Sequence, residues 1–134
     1  MAETIELEIV TPERMVVKGR AEEIQIPGRG GYLGILPGHA PLITELAVGE
    51  IEYKNAGTVT RLSVAWGFAE VLPEKVTILA ETAELAEDID VERANAARER
   101  ALENIHKADN PGAYEEASQA LSRAESRLAV AKQK

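Results

Sequence analysis

The apolar residues change their spacing near Leu85, and one kind of secondary structure cannot serve both sides of that change. From Thr4 to Val10, Ile5, Leu7 and Ile9 alternate with Glu6 and Glu8, the period of a strand with one buried face. From Val91 onward, Val91, Ala94, Ala97, Ala101, Ile105 and Ala108 recur at the spacing of a helical stripe. Ala117, Leu121, Ala124, Leu128 and Ala131 continue that spacing. The chain therefore divides into a strand-built part, residues 1–86, and a helical part, residues 87–134.

In the first part further strands are expected near 16–17, 22–26, 32–35, 42–45, 48–54, 58–64, 67–72 and 76–79. Pro12, Pro27 to Gly31, Pro37 to Gly38, Asn55 to Gly57 and Pro73 separate them. Short strands at such close spacing predict an antiparallel sandwich or barrel. Asn55-Ala56-Gly57 suits a hairpin turn, with Gly57 free to take positive φ. In the second part Asp90 can cap a helix over 91–107, Asn110-Pro111-Gly112 breaks it, and a second helix runs from Ala113 to about Lys132. The short break makes the helices antiparallel neighbours. Their stripe is mostly alanine, which permits close approach but buries little area per residue. The hairpin thus depends on docking against another surface, and it is able to change state.

Composition removes several function classes. Aromatic residues make up 4% of the chain, too few for base stacking on nucleic acid. No cysteine is present, so thiolate chemistry and disulfides are excluded, and His39 and His106 alone make a poor metal set. No stretch is apolar enough to span a membrane and no secretory leader is evident, so a soluble chain is expected. Residues 1–89 hold 15 acidic and 7 basic side chains, whereas residues 90–134 hold 8 of each. The acidic first part disfavours phosphate backbones and anionic lipid, and suits solubility or a basic protein partner.

Catalytic patterns are missing. Gly28-Arg29-Gly30-Gly31 lacks the lysine and hydroxyl residue of a phosphate loop. Ser63, His39 and Asp88 make a triad only on paper, since a triad is defined by geometry. The carboxylates are unclustered and offer no general acid or base. Two other features stand out. GYLGILPGHAPL, residues 31–42, interleaves glycine and proline with Leu33, Ile35, Leu36 and Leu42, as expected of a shaped apolar loop that another molecule reads. Arg123 and Arg127 lie at i and i+4 on the second helix, and antiparallel packing brings that end beside Arg93. Three guanidiniums there would suit phosphate oxygens. Alternatively they form surface ion pairs with Glu84, Asp90, Glu92 or Glu125.

Taken together, Gly34-Ile35-Leu36-Pro37-Gly38-His39-Ala40-Pro41-Leu42, Gly67-Phe68-Ala69-Glu70-Val71 and Ile89-Asp90-Val91-Glu92-Arg93-Ala94 closely resemble the epsilon subunit of bacterial F-type ATP synthase. The resemblance covers essentially the whole chain. It implies a β + α architecture, with an N-terminal antiparallel β-sandwich of about ten short strands and a C-terminal antiparallel two-helix hairpin. It also implies a non-catalytic rotor subunit that binds the gamma subunit and the c-ring through Tyr32, Leu33, Gly34, Ile35, Leu36, Pro37, Gly38 and His39. The hairpin would extend along gamma toward the alpha and beta subunits and block ATP hydrolysis. ATP, with or without Mg2+, would be a regulatory ligand of the folded-down hairpin, bound by Glu84, Ile89, Asp90, Arg93, Ala94, Arg123 and Arg127. The resemblance further implies no catalytic cofactor, no nucleic-acid partner, and attachment to the cytoplasmic face of the membrane only through the complex. The competing class is a stand-alone protein-binding adaptor with no rotary role.

Overall fold

The computed structural model describes residues 3–132, so the domain ends placed at Met1–Ala2 and Gln133–Lys134 lie outside the described residues. Eight strands come first: β1 (Ile5–Val10), β2 (Met15–Ala21), β3 (Glu23–Gly28), β4 (Gly31–Ile35), β5 (Leu42–Leu46), β6 (Gly49–Asn55), β7 (Thr58–Val71) and β8 (Lys75–Leu85). One 3-10 turn, Ala86–Asp88, leads into α1 (Val91–Lys107) and α2 (Pro111–Ala131).

The resemblance implies about ten strands and the sequence pattern nine; eight are found among the described residues, the nine becoming eight because two predicted segments, 58–64 and 67–72, are one 14-residue strand, β7. Trp66 at φ 51° and Gly67 at φ 125° interrupt the alternation of faces. They do not interrupt the ladder, since β7 keeps one register against β8 from Leu62–Leu85 to Val71–Val76. On its other edge the first half of β7 pairs with β6 and the second half with β5, with Ala47 and Val48 opposite the kink. β7 thus turns a corner and contributes to both layers of the sandwich. The expected all-antiparallel pairing also needs one correction: β1 runs parallel to β8 from Glu6–Lys75 to Val10–Leu79.

Between the layers lies a core of aliphatic side chains, with Ile5, Leu7, Ile9, Ile24, Ile26, Ile35, Ile51, Leu62 and Ile78 fully buried. The alternation read in β1 therefore faces inward as expected. The β6–β7 connection is a two-residue turn in which Ala56 (φ 52°) and Gly57 (φ 82°) both take positive φ. Glu22 steadies it by accepting the Ala56 N–H at 3.1 Å.

The helical part follows from its caps. Asp90 accepts the N–H of Arg93 at 3.1 Å and starts α1. Asn110 accepts the N–H of Ala113 at 2.8 Å, and Pro111 takes the first helical position, so α2 begins two residues before the expected Ala113. Proline loses nothing there, because that N–H has no partner inside a helix. Ala94, Ala101, Ala117 and Ala124 are buried, so the helices pack at alanine distance. α2 carries the contact with the sandwich, and the buried apolar cluster there, among the described residues, is Ala86, Ile89, Val130 and Ala131. No helix among the described residues is long and apolar enough to cross a membrane.

Candidate functional site

The first turns of α1 and the last turns of α2 meet beside the end of β8, and a cavity of about 340 Å³ lies between them. That volume falls within the range of small-molecule pockets. Glu84, Asp88 and Asp90 line it on the acidic side, Arg93, Arg100 and Arg127 on the basic side, with Ala94 and Ala97 as its small floor. Three carboxylates thus face three guanidiniums across it. The N-terminus of α1 directs its positive end there, and Asp90 occupies one free N–H of the first turn by capping it.

The three guanidiniums are not equivalent. Arg127 Nε donates to Glu84 Oε1 at 2.5 Å, one of the ion pairs open on sequence grounds. Arg93 and Arg100 have no ion-pair partner within 4 Å among the described residues and are exposed. They stand seven residues apart, two turns along one face of α1. Of the seven residues expected at a nucleotide, Glu84, Asp90, Arg93, Ala94 and Arg127 line this cavity. Ile89 does not; it is buried in the seam with Ala86, Val130 and Ala131. Arg123 does not line it either. Its guanidinium lies over the Trp66 ring, 5.1 Å from the centroid. The expected convergence of Arg93, Arg123 and Arg127 is therefore corrected to Arg93, Arg100 and Arg127. The i+7 spacing of Arg93 and Arg100 was the available signal, readable once the face of α1 turned to the sandwich is known.

A wider groove of about 670 Å³ runs between α2 and the sandwich. Glu50, Glu115 and Glu125 line it with Tyr32 and Trp66, and no cationic side chain does, so it does not suit an anion. Neither Ser63, His39 nor Asp88 assembles a triad. The Ser63 hydroxyl meets Ser126 Oγ at 2.8 Å, and His39 Nδ1 donates to the carbonyl of Ala40 at 2.7 Å.

GYLGILPGHAPL is not one loop. Residues 31–35 are β4, Leu42 opens β5, and only 36–41 are irregular. Gly38, at φ 87°, donates to the carbonyl of Pro73 at 2.8 Å, which ties this segment to the β7–β8 turn at one end of the sandwich. The eight expected rotor-contact residues separate accordingly. Ile35 is in the core and Leu33 packs against it. Tyr32 turns the other way, and its hydroxyl accepts the Glu50 N–H at 3.1 Å in the groove below α2. Leu36, 60% exposed, remains at the tip with Pro37, Gly38 and His39 beside it, while Gly34 is exposed on β4.

A larger exposed apolar surface lies on the sheet itself. Met15 pairs with Val10, Val10 with Leu79, and Leu79 with Phe68, giving one cross-strand row over β2, β1, β8 and β7. Phe68 is 53% and Leu79 55% exposed, and Ile43 on neighbouring β5 is 71% exposed. Outward apolar residues in strands whose inward positions are already apolar were the signal for this face.

Comparison with known proteins gives two adjoining family matches. Residues 4–86 match the family model described as ATP synthase, Delta/Epsilon chain, beta-sandwich domain, and residues 87–132 match ATP synthase, Delta/Epsilon chain, long alpha-helix domain. The chain is 64% identical over 105 residues to an ATP synthase epsilon chain of Koribacter versatilis, covering 78% of this chain and 74% of that one. It is 46% identical to the ATP synthase epsilon chain of Solibacter usitatus over the full length of both. Among solved structures, a chain of the Euglena gracilis mitochondrial ATP synthase, in a structure of OSCP, F1 and c-ring, superposes with a TM-score of 0.82 at 25% identity, covering 94% of this chain and 80% of that chain. A chain of the Tetrahymena thermophila mitochondrial ATP synthase central stalk and c-ring shares the fold, with a TM-score of 0.66 at 13% identity, 96% of this chain and 97% of that chain being covered.

Proposed function

The chain belongs to the ATP synthase delta/epsilon family, as an epsilon subunit, and on that premise we propose that its hairpin is a nucleotide-sensitive brake on ATP hydrolysis. A subunit of this kind is a non-catalytic part of the stalk. In this reading the sandwich rides on the rotor, and the row through Phe68 and Leu79, with Ile43, is the face that docks on gamma. Leu36 to His39 meet the c-ring at the end of the sandwich, which places the subunit at the cytoplasmic face of the membrane through the complex alone. Extended along gamma, the hairpin reaches the alpha and beta subunits and stops hydrolysis. Folded down, it builds the cavity between its two helices.

The observation that carries the reading is that one cavity takes walls from β8, α1 and α2, and gathers Arg93, Arg100 and Arg127 there. Extension would pull those walls apart, so an anion held between them binds the compact state and not the extended one. A ligand shifts an equilibrium only by such a difference. ATP is the proposed ligand, its phosphates on Arg93 and Arg100, with Arg127 and Glu84 at the inner wall; Mg2+ would accompany the phosphates without a protein ligand set of its own.

Calorimetric titration of the full-length subunit with ATP tests this. Heat of binding is expected for the native chain, together with loss of binding in Arg93→Ala/Arg100→Ala. Absence of binding at millimolar ATP, or binding untouched by the double substitution, removes the nucleotide from the account. The brake itself is read separately, by hydrolysis in a complex assembled with a chain ending at Ile89: the rate should rise, and an unchanged rate rejects inhibition by the hairpin.

A further inference from the structure

The apolar seam between hairpin and sandwich is small, yet three polar contacts leave α2 from a single turn. Arg123, Ser126 and Arg127 lie at i, i+3 and i+4, on one helical face. Arg123 covers Trp66 on β7, and Arg127 donates to Glu84 on β8. Ser126 Oγ donates to the carbonyl of Gly49 on β6 at 3.2 Å. Its one proton being so used, the 2.8 Å contact with Ser63 has Ser63 donating and Ser126 accepting. The turn thereby grips β6, β7 and β8 at the corner where β7 bends.

Ser63 is the informative member. It is 6% exposed, and the hydroxyl it meets, that of Ser126, belongs to the hairpin. The other buried hydroxyl among the described residues, Thr11, is satisfied within its own loop by Arg14. A buried hydroxyl costs stability unless it is bonded, and with α2 in place Ser126 supplies that bond to Ser63. When α2 leaves, water can replace every one of these partners. An apolar seam of equal strength would instead expose a sticky surface on both halves.

We propose that Arg123, Ser126 and Arg127 form a polar latch that holds the hairpin down without nucleotide, with Ser126 its central bond. The proposal rests on the reading of the hairpin as extendable and deepens it: the latch sets the balance between compact and extended states, and ATP adds to that balance. Arg127 belongs to both devices, since it lines the cavity and donates to Glu84.

The chain has no cysteine, so spin labels can be placed on the full-length subunit at Lys54→Cys on β6 and Glu103→Cys on α1, both exposed. Distance distributions without nucleotide should show a dominant short population beside a minor long one in the native background. Ser126→Val should reduce the ratio of short to long distances roughly tenfold, the size of one or two lost hydrogen bonds. Arg123→Gln, which removes the cover over Trp66 and leaves both Ser126 contacts in place, should reduce it in the same direction and guards against misfolding of either variant. Distributions that stay native in Ser126→Val and in Arg123→Gln overturn the latch, while the inhibitory reading survives. If these variants open but the assembled complex hydrolyses ATP at the native rate, the inhibitory reading fails and the latch stands.

Discussion

The carbonyl oxygen of Leu79 lies so close over Gly67 that a Cβ at position 67 would come within 1.9 Å of it. Gly67 also sits at φ 125°, outside the range that L side chains adopt. Backbone blocks the space, so no side-chain rotation relieves it. Gly67→Ala should destabilise the sandwich by on the order of 3 kcal/mol or more. Gly30→Ala, where nothing lies within 4 Å and φ is not positive, should stay within about 0.5 kcal/mol. Urea unfolding of the two variants measures the contrast, and equal midpoints would refute the corner as described.

Next to that glycine stands the chain's one tryptophan, with Arg123 above its ring. Trp66 emission should therefore report on the hairpin. A chain ending at Ile89 keeps all of the main sandwich core, which lies within residues 5–83, and should unfold in one cooperative step. Its indole loses the cover of α2, so emission should shift to the red relative to the full chain. Coincident spectra would mean that α2 does not rest on Trp66 in solution.

Phe68 and Leu79 are half exposed and their inward neighbours Ala69 and Ile78 carry the packing. Phe68→Glu/Leu79→Glu should change stability by less than about 1 kcal/mol, as surface substitutions do. The same pair should abolish co-purification with gamma, because charge in the centre of a docking face goes unpaired. Normal recovery of gamma would move the docking face elsewhere.

Arg100 and Arg98 make a matched pair within α1. Arg100 lines the cavity between the two helices, whereas Arg98 pairs with Glu99 at 3.8 Å and faces a different groove. Arg100→Ala should weaken ATP at least about tenfold in calorimetry, the scale of a charge-assisted hydrogen bond. Arg98→Ala should leave the affinity unchanged. Raising the salt from low ionic strength should weaken native binding, since Arg93 and Arg100 are open to solvent. Equal losses at positions 98 and 100 would mean a general charge effect and no site.

The extent of α1 was readable to the residue, because Asp90 is a strong cap and its stripe is regular. β1 was equally plain from the alternation of Ile5, Leu7 and Ile9. The merging of two predicted strands into β7 was not, since a glycine after an aromatic residue reads locally as a stop; only the neighbouring strands carry the chain through it. Arg123 failed as a cavity residue for a related reason. Position i+4 puts two side chains on one helical face, but one turn of rise separates them, and here that turn divides β8 from the corner of β7. Which residues of GYLGILPGHAPL point outward was likewise hidden, because Tyr32 and Leu36 obey the sheet and the tied turn, respectively, and not the composition of the stretch.

The parallel pairing of β1 with β8 sets an order of events during synthesis. The first strand of the sandwich cannot close one of its edges until residues 75–79 have left the ribosome. Until then, Val10 and its neighbours wait with one row of backbone groups unpaired, in the slow regime of contacts distant along the chain. The hairpin follows all eight strands in the chain, so it emerges after the residues it packs on. The hairpin proposed as a brake is thus translated after the surface on which it packs, and can be stowed as it appears.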